Sequence, residues 1–328
     1  MAQREKVQQG KAKSRSKKML HGLLFFIAFF LSEAGVAAEK PVIIVSQHNI
    51  SYHNEFVEHF KKTFINISPS RKVVDIDLSD KANLNHTHSD IFSSASLIVT
   101  VGSEAARLVS ESRPTAPVLH TLITISTSKK ITHNARCLHK TLYIDQPFER
   151  QLALIATALP DRMEIGILLS PESTIELGRL RTIASHYSKQ IYSVTIDNNT
   201  QLERSLEKIA KRSQLLLTLP DTTVINRRTA KTLIQGAYHR ELPVVGFSKS
   251  MVKAGALMAV FSTPQQMAEQ SAHLVSGMPG KGCRGKSTTE YPRNFSIAIN
   301  YRVARILGID LPEEDELVAK LKRMAITK

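Results

Sequence analysis

Short apolar runs alternate with stretches of helical spacing along most of this chain, and residues 215–261 show the pattern most fully. The run Leu215, Leu216, Leu217 stops at Pro220-Asp221; Val224, Ile225, Thr229, Leu233, Ile234 and Ala237 then recur at helical intervals; Leu242-Pro243-Val244-Val245-Gly246 opens a second run. This spacing predicts a strand, a helix and a strand of a parallel sheet. Strands that are apolar throughout, rather than alternating, are covered on both faces, so helices lie above and below, and polar residues just past each strand face a crevice. Those residues are Asp221, Thr222, Ser248 and Ser250. A third run, 256–261, leads straight into another helical pattern, as expected of a chain crossing to a second lobe.

The remaining pattern is of the same kind. Strands are predicted over 42–46, 72–78, 96–101 and 117–123, with a helix over 52–64 that places Phe56, Val57, Phe60 and Phe64 on one face, a short helix at Ile91-Phe92, and a helix opened by Gly102-Ser103-Glu104. A polar linker over 124–140 follows. A second series begins with a strand at 141–145 and runs through a helix over 147–159, a strand over 164–169, a helix over 172–188, a strand over 191–196 and a helix over 201–212. After residue 261 come a helix over 264–277, a Gly- and Lys-rich loop over 278–286, a short strand over 295–299, a helix over 301–307 and an amphipathic tail through Leu317, Val318 and Leu321. The predicted fold is α/β: two doubly wound parallel-sheet lobes joined by a hinge. Lobe 1 comprises residues 39–145 plus 262–288 and lobe 2 residues 146–261 plus 289–312, with a leader at 1–38 and a tail at 313–328.

Composition fits two cores, since 328 residues with 42% hydrophobic and 22% charged are ordinary globular values. The net charge of +15 invites a nucleic-acid reading, but part of it is the seven Lys/Arg of residues 1–38. The rest is spread thinly, without an aromatic-interleaved basic stripe or zinc-finger spacing, so no nucleic-acid partner is expected. In the leader, Lys17-Lys18 precede the apolar stretch 23–31, and Val36-Ala37-Ala38 supply small residues, the pattern of an export signal cleaved after Ala38. Its apolar core is well short of the ~20 residues that span a bilayer. Either Met1 or Met19 can serve as the start. No cysteine near the cleavage site can carry a lipid, so the expected location is the periplasm of a Gram-negative bacterium. The two cysteines, Cys137 and Cys283, are free to pair in that compartment or to remain apart.

Candidate chemistry concentrates at strand ends. Ser103, Ser173, Thr174, Ser248 and Ser250 stand where helices begin, and free N–H groups there suit a carboxylate or phosphate; Asp221 can take an ammonium or hydroxyl group. Glu104 beside Ser103 and Thr222 beside Asp221 complete the candidate ligand-binding set. Each Ser, Thr or Asp serves equally well as an ordinary helix cap. Histidines cluster between His48 and His139, and His86-Thr87-His88 is the one spacing suggestive of a metal, yet no HExxH is present. Nor is there a GxSxG elbow or a GxxxxGK[ST] loop. Accordingly no catalytic residue, cofactor or metal is expected.

Four segments carry a resemblance to a known family: QPFERQLALIATALP at 146–160, GILLSPESTIE at 166–176, the long stretch from LPDTTVINRR to ALMAVF ending at 261, and YPRNFSIAINYRVARILGIDLP at 291–312. They resemble the substrate-binding proteins of ABC transporters, specifically the family that includes tryptophan-type binders and has a type I periplasmic binding fold. The chain departs from the family's pattern at Thr121–Lys130 and at His139-Lys140-Thr141. The resemblance implies a monomeric two-lobe binder that delivers a small polar solute, amino acid-like or a carboxylate, to an ABC permease with its ATPase. A ligand-sensing or accessory subunit signalling to a membrane sensor is the alternative it leaves open. N-terminal sequencing of the exported protein should return Glu39; a membrane-bound species beginning at Met1 or Met19 would contradict a cleaved leader.

Overall fold

Two six-stranded sheets carry the chain in a computed structural model that describes residues 40–79, 88–131, 137–226, 228–279 and 286–326. The leader with its cleavage site after Ala38, Met19, His86 and Cys283 lie outside the described residues. Cys137 is disulfide-bonded. In the first sheet β1 (Val42–Ser46), β2 (Val73–Asp77), β3 (Leu97–Val101), β4 (Val118–Ile123) and β5 (His139–Tyr143) pair in parallel in the order β5-β4-β3-β1-β2. The second repeats this plan with β6 (Glu164–Leu169), β7 (Gln190–Thr195), β8 (Leu215–Leu217), β9 (Val244–Gly246) and β10 (Met258–Phe261) in the order β10-β9-β8-β6-β7. One late strand closes each sheet: β11 (Thr288–Glu290) runs parallel beside β5, and β12 (Ser296–Ile299) antiparallel beside β10.

Burial follows the pattern of the runs. Every residue of β1, β3 and β4 is buried, whereas β2, at the sheet edge, is half-buried along its length and can carry Asp75 and Asp77. Helix α1 (Ser51–Ile67) covers one face, with the rings of Phe56, Phe60 and Phe64 stacked in succession at centroid separations of 6.0 and 5.4 Å. The other helices of the first lobe are α2 (His88–Ser93), α3 (Ser103–Glu111) and α4 (Ile125–Lys130). In the second lobe α5 (Phe148–Ala158), α6 (Leu177–His186), α7 (Leu202–Ala210), α8 (Thr229–Tyr238) and α9 (Lys249–Lys253) flank the sheet. The chain then returns: α10 (Pro264–Ser276) buries Met267, Ala268, Ala272 and Val275 in the same core as the three phenylalanines of α1. After β12, α11 (Tyr301–Ile306) and α12 (Glu314–Ile326) stay with the second lobe, where Leu317 and Leu321 join its core.

Five local expectations are corrected. The strand at 139–143 extends the first sheet and does not start the second series. The polar linker contains α4, because Thr124 accepts a hydrogen bond from Thr127 N at 3.1 Å and caps it. Strand β11 was unforeseen, since Thr288, Thr289 and Glu290 show no apolar signal. The helix expected from 172 begins as a 3-10 turn, Pro171–Glu176, and the one expected from Val224 begins at Thr229.

Three crossings join the lobes, at residues 144–147, 262–263 and 291–295, and they are stitched side by side. Gln146 Nε2 donates to Ser262 Oγ (2.9 Å), which donates to the carbonyl of Asn294 (2.7 Å). Arg150 Nη1 donates both to Gln146 Oε1 (2.6 Å) and to the carbonyl of Pro292 (2.9 Å), and Tyr52 Oη donates to the carbonyl of Ser262 (2.6 Å). Gln146 and Ser262 are buried, so any one missing partner leaves a polar group without water to replace it. Ser262→Ala should therefore destabilise the protein by roughly 1–3 kcal/mol in urea unfolding. A loss below about 0.5 kcal/mol, the size of an ordinary surface change, would show that the string contributes nothing.

Candidate functional site

Residues just past the carboxyl ends of β4, β5, β6, β8, β9 and β10 line two cavities between the lobes. The first, of about 270 Å³, lies between α4 and the turn Pro171–Glu176. Its walls are apolar at Ile125, Phe148, Ile175, Leu219 and Pro220 and polar at Ser126, Asp145, Gln146, Gln151, Ser173 and Asp221. The second, of about 450 Å³, lies between the start of α1 and α9, with Tyr52, Glu55, Phe247, Ser248, Ser250 and Thr263 among its lining residues. Across the mouth of the first cavity Lys129 Nζ meets Glu176 Oε1 at 2.9 Å and Lys130 Nζ meets Glu172 Oε2 at 2.7 Å. These pairs are largely exposed, so each contributes on the order of 1 kcal/mol or less. They bridge α4 to the turn Pro171–Glu176.

Local backbone features shape the first lobe's side of the gap. Leu122 has φ of 54° where the pairing of β4 with β5 shifts register, an irregularity that redirects the strand end into Thr124 and α4. Gly102, with φ of 88°, ends β3; a Cβ there would stand 2.6 Å from Cε1 of His53, so both the backbone angle and the close approach of that ring require glycine. Burial lowers the pKa of His53, only partly opposed by its hydrogen bond with the backbone of Gln47, and the ring is neutral at physiological pH.

The structure sorts the candidate residues. Ser173 and Asp221 line the first cavity; Ser248 and Ser250 line the second, their hydroxyls 2.9 Å apart. Ser248 also caps α9, accepting from Met251 N at 3.3 Å. Ser103, Glu104, Thr174 and Thr222 line neither cavity. Ser103 reaches Thr127 Oγ1 at 3.5 Å, Glu104 is taken up by Arg107 at 2.6 Å on the exposed face of α3, Thr174 donates to the carbonyl of Pro171, and the carbonyl of Thr222 accepts from Asn226. Sequence reasoning missed Asp145, Gln146 and Phe148: the strand predicted over 141–145 takes in Asp145, whereas β5 ends at Tyr143 and leaves it on the first crossing. Two of the clustered histidines have separate surroundings: His120 is a core residue bonded to Thr100 Oγ1 at 2.8 Å, and His48 faces Asp75 and Asp77.

Asp145 and Asp221 share the first cavity in opposite electrostatic circumstances. Burial alone would raise the pKa of Asp221. The N–H of Ser170 at 2.7 Å, the hydroxyls of Ser173 and Ser170 and the N–H of Thr223 at 3.0 Å outweigh it and hold the carboxyl below its ordinary value. At Asp145 burial wins: the N–H of Ile125, at 3.0 Å from Oδ2, and its own N–H offset only part of the penalty, and the pKa rises to about 7. No cation pairs with Asp145 among the described residues. Because its pKa is raised on folding, the folded chain holds a proton that the unfolded chain releases, and stability falls as pH rises from the ordinary carboxyl value through about 7. Asp145→Asn should therefore raise the ligand-free melting temperature at pH 8 but not at pH 4; an equal change at both would place the effect elsewhere.

With this geometry in view, comparison with known proteins is informative. A family model described as ABC transporter substrate binding protein matches residues 79–321. No curated protein sequence matches the chain. Among solved structures, an ABC domain from Streptococcus pneumoniae in complex with L-Trp aligns with a TM-score of 0.58 at 14% identity, covering 84% of this chain and 96% of that one. A ligand-free, open substrate-binding protein with adhesive properties from Clostridium difficile gives 0.60 at 14%, covering 84% and 97%. A conserved domain protein from Vibrio cholerae gives 0.57 at 18%, covering 86% and 98%. At these identities the structures speak for the two-lobe α/β fold, while the family match spans most of the chain. The chain belongs to the ABC transporter substrate-binding protein family.

Proposed function

We propose that this protein captures a small polar solute outside the cytoplasmic membrane by closing its lobes, and delivers it to an ABC permease driven by a separate ATPase. The observation that carries the reading is the first cavity: it draws its walls from both lobes, lies beside the hinge, and is spanned by two weak ion pairs that can break and re-form. An amino acid-like solute suits the polar ends of the gap, and the bound L-Trp of the streptococcal relative supports that class. Ser173 and Asp221 are the proposed contacts among the strand-end residues in the first cavity; Ser248 and Ser250 line the second, and Ser103 lines neither. The protein acts as a monomer in the periplasm, without catalysis. Among the described residues no helix is long and apolar enough to cross a membrane.

Two measurements test the proposal. Native mass spectrometry of protein purified from its own periplasm should show a retained small solute. Small-angle scattering should show a smaller radius of gyration with that solute than without it; an unchanged radius at saturation would rule out capture by closure.

A further inference from the structure

The carboxylates around the first cavity differ in what neutralises them. Glu172 and Glu176 are held by Lys130 and Lys129. Asp221 is surrounded by backbone N–H groups and hydroxyls. Asp145 keeps a part of its surface open to the cavity while protein encloses it on nearly every other side, and it has one hydrogen bond from another residue, from Ile125 N. A charge in that position is unfavourable unless something brings a compensating charge. The neighbouring elements do not supply one: the lysines of α4 point to the second lobe's glutamates, Arg150 is turned to Gln146 and the carbonyl of Pro292, and Arg179 is engaged with Glu149 and Tyr291.

We propose that Asp145 receives the cationic group of the solute, so that the cavity takes an ammonium carried on a small apolar skeleton. The inference rests on reading the gap as the capture site and adds which residue sets its selectivity. The cavity lies at the small end of ligand pockets, which run from about 300 to 1,000 Å³. Ile125, Phe148, Ile175, Leu219 and Pro220 would cover the skeleton, and the ammonium would complete the carboxylate that, among the described residues lining the cavity, has neither a cation nor a set of donors around it. An anion in that place would meet Asp145 and Asp221 as like charges and is selected against. Gln151, whose Oε1 is buried with no hydrogen-bond partner, lines the same cavity and offers a second acceptor to the ammonium. Proton and ammonium compete for Asp145, facing Lys129, Lys130, Glu172, Glu176, Asp221 and Tyr291 around the cavity. Affinity should accordingly fall about tenfold per pH unit well below the carboxyl's pKa, near 7, and level off above it.

The test is calorimetric titration of the full mature chain and of Asp145→Asn with two matched sets of probes. Isoamylamine, L-leucine and 4-methylpentanoate share one skeleton; 2-phenylethylamine, L-phenylalanine and 3-phenylpropionate share another. At pH 8 at least one amine-bearing probe should bind the wild type, bind Asp145→Asn at least about tenfold more weakly, and outcompete the matched carboxylate. Between pH 7 and 5 the wild type should lose affinity for it while the variant's residual binding stays flat, and the variant's melting temperature verifies that it is folded. Binding that Asp145→Asn leaves unchanged, preference for the carboxylates, or no binding of any of the six overturns the inference. In each of those cases a retained native solute and a shrinking radius of gyration would still uphold solute capture, so the two failures are distinguishable.

Discussion

The lobes can form a single working device only because the buried string from Gln146 through Ser262 to the carbonyl of Asn294 ties the three crossings together. Separate crossings would each be free to bend, and closure would have no defined axis. Bonded side by side, they bend as one ribbon. The same string also partitions the gap, since Gln146 lines the first cavity and Ser262 the second. Arg150 reinforces it from below: burial brings its pKa down to about 10, still well above neutrality, so the guanidinium remains charged while it bonds Gln146 and lies 4.4 Å from the centre of the Phe295 ring.

Strength is distributed unevenly around this hinge. The crossings are held by short, buried hydrogen bonds, each costly to leave unmade, whereas the far side of the first cavity is held by two exposed lysine–glutamate pairs. A solute that adds even a few kcal/mol of contact across the gap would therefore contribute more to closure than the two pairs do, with the hinge bonds intact.

The pattern of apolar runs revealed the two lobes, the parallel pairing and the return of the chain at residue 261, because these depend on burial of both sheet faces. It did not reveal β11, whose residues are polar and pair with the edge of β5 just before the third crossing leaves the first sheet. Nor could it show β12 as antiparallel, since strand direction is set by where the chain re-enters the sheet. The site was harder still. Ser248 reads the same in sequence whether it caps a helix or lines a cavity, and in the structure it does both. Glu104 stood beside a strand end, yet its side chain turns along α3 to Arg107.

Asp145 and Asp221 make the underlying limit clear. Both follow a parallel strand, and both line one cavity. What separates them is the number of donors that the fold gathers around each: Asp221 lies where the ends of β6 and β8 diverge, so the N–H and hydroxyl of Ser170 reach it together with Ser173 and Thr223, while Asp145 lies on a crossing with only Ile125 N nearby. The environments thus push the two carboxyls apart, one ionised throughout the physiological range and one poised to exchange its proton near pH 7. A poised carboxyl costs stability that asparagine would restore, and local sequence preference offers no reason for it. On the proposed reading its compensation comes from whatever fills the cavity, which would place the selective chemistry of the site on the crossing that carries Asp145.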